Sequence, residues 1–373
     1  MQLFNFITWQ ANPEIFSIGS FSVRWYGLLF ALGFVVGQRI ISRFFKYSGY
    51  DEKMVDSFVI YSVIGTVVGA RLGHVLFYGP HFTPDGTGYF DNPLSILNLR
   101  EGGLASHGAL IGLLTSTYLF YKYKIKESYL WITDRLAITV ALAGCFIRFG
   151  NLMNSEIIGK PTNSPTAFVF AKDAALNLQN HFEDYVDDVS IAATDEIRTE
   201  KGQEYVKMNA SIVFKDEFQN EVACEKYVRE HVIPYQERFN ASNADRSHIT
   251  FFEAPDAITF TNNDGRKEAH FTTYGIPRHP SQLYESISSF FVFVLLFYLM
   301  DKSKGKLPDG LSTGIFLTVV FGLRFVYEIF KENQVDMEEG WLLNMGQILS
   351  IPSLLFGLFL LFNALKKQKE SAQ

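Results

Sequence analysis

Seven stretches of this 373-residue chain are each apolar over about 20 residues, the length a helix needs to cross the hydrocarbon core of a bilayer. They run approximately over 22–42, 55–78, 105–123, 130–152, 283–301, 311–331 and 344–365. Inside a bilayer, backbone N–H and C=O groups have no water to pair with, which confines such stretches to helices. Composition agrees: 48% of residues are hydrophobic, and 36 Phe with 18 Tyr exceed what a soluble domain of this size carries. The expected fold class is an all-α polytopic membrane protein of about seven transmembrane helices.

Lys and Arg crowd the cytoplasmic ends of membrane spans, so the stretches can be tested by alternation. Arg39, Arg43 and Lys46 follow the first; Lys122, Lys124 and Lys126 the third; Lys302, Lys304 and Lys306 the fifth; Lys366, Lys367 and Lys369 the seventh. Basic clusters at the odd-numbered exits put the N-terminus outside and the C-terminus in the cytoplasm. No basic residue precedes an apolar core in "MQLFNFITWQANPEIFSIGS", so no cleaved secretory signal is expected.

The same alternation leaves the polar middle of the chain outside. Residues 165–272 hold about 20 acidic and 11 basic side chains against a net charge of −6 overall, which leaves a slightly basic membrane body and an acidic insert. Three regions follow: spans one to four within 1–160, an extracytoplasmic insert over 161–275, and spans five to seven within 276–373. Within the insert, "EYVKMNASIVFKDE" alternates as a strand and "ITFTNNDGRKEAHFTTY" reads as a hairpin turning at Asn263-Asp264-Gly265. Between them, "FQNEVACEKYVREHVIPY" has helical spacing, so the insert is expected to be α+β. Cys145 and Cys224 lie in unlike surroundings and suggest neither a disulfide nor a zinc site. No repeat, P-loop, GxGxxG motif, metal-ligand cluster or nucleic-acid signal is present.

A charged side chain at the bilayer centre costs from about 2.5 kcal/mol upward, so ionisable groups there usually line a site or a wet path. This chain has several: Arg71 in "GARLGHVLFY", His107 at the start of span three, Arg148, Asn151, Asn154 and Glu156 in "RFGNLMNSEIIG", and Arg324 with Glu328 in "FGLRFVYEIF". His279, Gln282 and Glu285 in "RHPSQLYESI" and Gln347 in "NMGQILSIP" lie at outer span ends. Each has a plainer reading. Arg324 and Glu328, four apart, suit an intrahelical ion pair; Arg71 suits an arginine snorkelling to the interface; His107 suits a structural histidine. The two asparagines and Gly102, Gly103 and Gly108 suit interhelical packing. Taken together, His107, Arg148, Glu156, His279 and Arg324 all fall in the outer half of the membrane or at its outer face, a set that suits an anionic ligand, because the guanidinium fork matches phosphate oxygens.

"RWYGLLFALG", "GARLGHVLFY", "REGGLASHGALIG", "RFGNLMNSEIIGKPT", "RHPSQLYE", "FGLRFVYEIF" and "MGQILSIP", in that order, resemble the bacterial prolipoprotein diacylglyceryl transferases. The resemblance implies transfer of the diacylglyceryl group of phosphatidylglycerol to a prolipoprotein's lipobox cysteine, forming a thioether and releasing glycerol 1-phosphate. It implies a multi-pass protein of the bacterial inner membrane whose partners are phosphatidylglycerol, lipobox segments and membrane lipid, with no cofactor. It also implies functional roles for Tyr26, His107, Arg148, Asn151, Glu156, Gly159, Arg324 and Glu328. Two features depart from the family pattern: Phe321 stands where a functional tyrosine is often found, and the insert is longer than in compact members. Tyr327, Tyr26 or Tyr284 would have to supply any phenol function lost at Phe321.

The chemistry needs a thiolate and a neutralised phosphate. His107 is a candidate base for the thiol or, alternatively, a headgroup hydrogen-bonder; Glu156 and a tyrosine are also chemically admissible bases. Arg148 and Arg324 would clamp the phosphate, with Glu328 and Glu156 orienting them. Asn151, Asn154, Gly159 and Arg71 would line the phosphatidylglycerol site, and Tyr26 either binds phosphate or anchors in the aromatic belt. Rival readings are a transporter for an anionic solute, which the lack of inverted halves disfavours, and a membrane scaffold. The insert either caps the mouth of the site or docks prolipoproteins.

Overall fold

A run of long helices carries most of the chain. In the computed structural model, residues 6–19, 21–78, 89–90, 92–98, 103–216, 218, 220–243, 246–255, 257–332 and 342–372 are described. Three short strands, β1 (Phe6–Thr8), β2 (Glu14–Ile18) and β3 (Phe21–Arg24), lead into α1 (Trp25–Tyr47), α2 (Glu52–Tyr78), α3 (Ser106–Lys124) and α4 (Tyr129–Met153). A mixed region follows: β4 (Ala167–Val169), α5 (Ala171–His181), β5 (Val186–Glu200), β6 (Gln203–Phe214), α6 (Glu221–Tyr227), α7 (Ile233–Ser242), β7 (Ile249–Thr250), β8 (Thr259–Asn263) and β9 (Arg266–Gly275). The chain closes with α8 (Ser281–Lys302), α9 (Leu311–Tyr327) and α10 (Met345–Ala372).

Six helices among the described residues are long and apolar enough to cross a membrane: α1, α2, α4, α8, α9 and α10. The chain is thus a helical multi-pass membrane protein with an added β-sheet region. The expected third span is the 19-residue α3, whose two serines, two threonines, three tyrosines, histidine and two lysines keep it out of the six by apolarity. Local chemistry sets the helix ends. Gly49, at φ 82°, ends α1 where the Tyr50 N–H returns to the Phe45 carbonyl, and the Asp51 carboxylate then caps α2 by accepting from the Met54 N–H at 3.0 Å.

The described chain divides into two compact units. The first comprises 30–144, 289–322 and 351–373 and is helical. Its core packs Ile41, Phe45, Val55, Phe58, Phe120, Trp131 and Ile132. Helices α2 and α3 meet along a glycine seam: a Cβ on Gly69 would lie 2.7 Å from the Gly112 Cα, and one on Gly108 would lie 2.8 Å from the Gly73 Cα. Backbones this close are the small-residue packing that associates helices where lipid offers no hydrophobic drive. Asp134, buried in α4, accepts from the Gly310 N–H at 2.7 Å and the Thr313 N–H at 2.8 Å, a carboxylate on the otherwise unpaired amides at the start of α9. Its neighbour Arg135 lies over Trp131 at 3.5 Å and donates to the Gly305 carbonyl.

The second unit comprises 1–29, 145–288 and 323–350. Its sheet runs β5-β6-β9-β7, with β8 also on β9, and every pair is antiparallel. Met208, Ala210, Ile212 and Phe214 alternate along β6 onto one buried face, with Ala174, Leu178, Cys224, Val228 and Val232 in the same core. The β8–β9 turn has Asp264 at φ 49° and Gly265 at φ 85°, the two positive angles of a two-residue hairpin loop. The N-terminal strand β1 pairs in parallel with β4, placing Phe6 beside Ala167. Both cysteines are free.

The α2–α3 seam yields a prediction. Gly112→Val should lower the thermal unfolding midpoint of the detergent-solubilised protein, reflecting a cost of about 1–3 kcal/mol or more for overpacking. Gly27→Ala, where a Cβ meets nothing within 4 Å, should leave it near wild type. Equal midpoints for the two variants would contradict the seam.

Candidate active site

The site belongs to the unit built from 1–29, 145–288 and 323–350. At its centre the Glu285 carboxylate on α8 is ion-paired with two cations: Arg148 Nε on α4 at 2.5 Å, and the Lys331 ammonium just beyond α9. Lys331 also reaches Glu328 Oε1 at 2.8 Å, and Arg324 Nε lies 3.6 Å from the same oxygen. Glu285, Glu328 and Lys331 are all buried, the last only 2% exposed, whereas Arg324 is 37% exposed. Three cations therefore face two carboxylates, leaving one surplus positive charge. The plainer reading of Arg324 and Glu328 as an intrahelical pair holds only loosely, because Lys331 is the closer partner of Glu328. Among the described residues Arg324 makes no hydrogen bond and contacts Glu328 only loosely, at 3.6 Å.

Backbone chemistry holds these carboxylates in place. Asn344 caps α10 by accepting from the Gln347 N–H at 2.8 Å while Gln347 Oε1 accepts from the Asn344 N–H, a reciprocal capping box. Asn344 Nδ2 also donates to the Glu328 carbonyl, and Gln347 Nε2 donates to the Phe325 carbonyl. A Cβ on Gly346 would lie 2.7 Å from both carboxylate oxygens of Glu328, so only glycine fits where α10 starts against that side chain.

Beyond α4 the chain turns sharply through "NSEIIG". Ser155 at φ 53° and Ile157 at φ 56° flank Glu156, and a β-branched residue in that region is a strained outlier. Three bonds hold the turn: the Glu156 N–H to the Asn151 carbonyl at 2.9 Å, Gln282 Nε2 to the Glu156 carbonyl at 2.5 Å, and Ser281 Oγ to the Ile157 carbonyl at 2.7 Å. The exposed Glu156 carboxylate accepts from Asn151 Nδ2 at 3.1 Å and Asn154 Nδ2 at 3.3 Å. Tyr26 packs on Gly150, where a Cβ would lie 2.9 Å from its ring, and its phenol interacts electrostatically with Glu156 and Arg148. Of the three tyrosines named in place of Phe321, it is the one that feels both charges; Tyr284 instead bonds His279 Nδ1 at 3.1 Å, with its ring tilted 44° to that of Tyr327 at 6.1 Å.

Gly159 is a packing glycine. A Cβ there would lie 2.5 Å from the His279 Cβ, its N–H donates to the His279 carbonyl, and its carbonyl accepts from Arg278. Arg71 and His107 belong to the other unit. The Arg71 guanidinium, 4% exposed, donates to the carbonyls of Ser95, Ile96, Asn98 and Gly103 and to the Tyr89 hydroxyl, so it organises a loop rather than snorkelling. His107 is exposed on the first turn of α3, with no hydrogen bond or ion pair among the described residues. Gly102 lies outside the described residues.

Sequence reasoning passed over Lys331, Arg278 and Ser281. Lys331 carries a readable signal: a lysine directly after span six, on the side of the membrane where the alternation of basic clusters expects none.

The fold and the site define a multi-pass membrane protein with a cationic polar cluster seated at the ends of its spans. The chain belongs to the prolipoprotein diacylglyceryl transferase family, whose model matches residues 13–363. It is 33% identical to a phosphatidylglycerol–prolipoprotein diacylglyceryl transferase of Tolumonas auensis over 360 residues, covering 96% of this chain and 98% of that one. Proteins of the same name from Porphyromonas gingivalis and Chloroherpeton thalassium are 32% and 29% identical, each covering 98% of this chain and 97% of the relative. Coverage near full length on both sides means that these relatives match its size, long central region included.

Lys331→Met should leave Glu285 and Glu328 buried with one cation fewer. A loss of about 3–5 kcal/mol in unfolding free energy is expected for breaking such a buried set, read as a lowered unfolding midpoint in detergent. Wild-type stability would remove Lys331 from the core of the cluster.

Proposed function

We propose that this protein transfers the diacylglyceryl group of phosphatidylglycerol to the lipobox cysteine of prolipoproteins. The observation that carries the reading at the level of the site is the surplus positive charge of the Arg148, Arg324 and Lys331 set over Glu285 and Glu328, at the ends of membrane-capable helices. A carbon–sulfur bond forms between the thiol and the glyceryl carbon as the carbon–oxygen bond to phosphate breaks. The electron pair leaves with glycerol 1-phosphate, and the thiol proton passes to a base.

Arg324, with a loosely held fork, seats the phosphate, and Arg148 beside it helps offset charge developing on the leaving oxygen. Glu328 orients Arg324 and Glu285 orients Arg148. Glu156, steadied by Asn151 and Asn154, bonds the headgroup hydroxyls, and Tyr26 donates to a phosphate oxygen. His107, an exposed imidazole, is the base, since a free thiol is mostly protonated at neutral pH. Arg71 and Gly159 act through the backbone they organise.

The same proposal takes seven spans, the N-terminus and residues 161–275 outside, and the C-terminus in the cytoplasm of the inner membrane. Strand parity supports this count. β1 pairs with β4, which suits an even number of crossings between the chain before α1 and the chain after α4, α3 among them.

The purified protein, given labelled phosphatidylglycerol and a lipobox peptide, should release glycerol phosphate only when the peptide carries its cysteine. Arg324→Lys keeps the charge but loses the fork and should slow transfer by roughly 10²-fold; His107→Gln should abolish it. Release from a cysteine-to-serine peptide would refute the thioether chemistry, and anion flux into vesicles without transfer would favour a carrier.

A further inference from the structure

The connection between α2 and α3 is built unlike a solvated loop. Its described residues are 89–90, 92–98 and 103–105. Arg71, on α2, spends its guanidinium on four of its carbonyls, from Ser95 at 2.7 Å to Gly103 at 3.2 Å, and lies over the Tyr89 ring at 4.8 Å. The Ala105 N–H donates to the Ala70 carbonyl at 3.0 Å, so the end of the loop is sewn to α2 eight residues before that helix ends, about 12 Å along its axis at 1.5 Å per residue. Gly103, at φ 78°, has no room for a Cβ, which would lie 2.6 Å from Arg71 Nη1.

Backbone polarity is thus drawn inward onto one arginine. The side chains go the other way: Leu94 is 77% exposed and Leu97 78%, with Phe90 and Leu104 also exposed. The stretch "NPLSILN" carries no charge. At the same level of α2, Leu72, Leu76 and Phe77 are exposed on a membrane-capable helix. The apolar outer surface of the span therefore continues onto the loop. Non-helical backbone tolerates membrane depth only where its polar groups are satisfied, and Arg71 provides that for the carbonyls of Ser95, Ile96, Asn98 and Gly103.

We propose that residues 89–90, 92–98 and 103–105 form a lipid-immersed lip, folded back along α2 by Arg71, with Phe90, Leu94, Leu97 and Leu104 in the headgroup and acyl boundary of the bilayer. The partner is bilayer lipid. Arg71 is the structural tether of the lip.

The test uses the full chain with Cys145→Ser and Cys224→Ser, carrying Leu94→Cys, Leu97→Cys or, as a control, Val222→Cys, an equally exposed apolar position on α6 at 77%. Each is labelled with an environment-sensitive fluorophore in vesicles of phosphatidylcholine and phosphatidylglycerol. Lipids bearing a nitroxide high on the acyl chain should quench positions 94 and 97 roughly two-fold or more beyond position 222, with blue-shifted emission, as expected at a depth of about 5–10 Å. Quenching by aqueous iodide equal to that at 222 would overturn the proposal. Protection that arises only on adding a lipobox peptide would replace lipid with peptide as the partner. Arg71→Ala should abolish the blue shift at 97, and an unchanged signal there would overturn the tether; should that variant fail to fold, the depth measurements still decide.

Discussion

The pairing of Glu285 with Arg148 and Lys331 together is the contact on which the site depends. It joins α4, α8 and the chain just past α9 through one carboxylate, and Lys331 extends the link to Glu328, against which α10 begins at Gly346. Buried ions are costly to desolvate, and their mutual attraction repays that only when every partner is present. Such a set adds little net stability over an apolar core of the same volume. What it provides is a fixed excess of positive charge where water is scarce and each Coulombic contact counts for more.

The backbone beside this cluster is strained and tightly pinned. Ser155 and Ile157 adopt left-handed angles to aim Glu156, and Ser281 and Gln282, the first residues of α8, hold the turn by its carbonyls. "HPSQLYE" is therefore one device: His279 packs on Gly159, Ser281 and Gln282 clamp the turn, and Glu285 gathers the cations. Strain of this sort persists where surrounding contacts over-determine it, and it is found at functional sites.

Much of the helical frame was legible in the sequence, because periodicity and length are strong signals for spans. The stretch 344–365 corresponds to α10, Met345–Ala372, and the Asn-Asp-Gly turn marked β8 and β9. β5 was not legible: only Val186, Val189 and Ile191 along "VDDVSIAATDEIRTE" are fully buried, so its pattern is mostly polar. The N-terminal strands are too short to show alternation. Within the site, the arginines and Glu156 stood out as polar residues in apolar surroundings. Lys331 showed only as a lysine on the side where the alternation of basic clusters expects none; its role is not legible until its distant partner Glu285 is placed beside it. Arg71 was visible but its partners were not, since backbone carbonyls leave no mark in a sequence.

The central claim is that the unneutralised cation of this cluster seats an anionic lipid headgroup. The most direct measurement is the binding of phosphatidylglycerol against zwitterionic phosphatidylcholine by the purified protein, in wild type and in Arg324→Gln. Preferential binding of phosphatidylglycerol by wild type, lost in a folded Arg324→Gln variant, is the predicted result. An unchanged preference in that variant would contradict it.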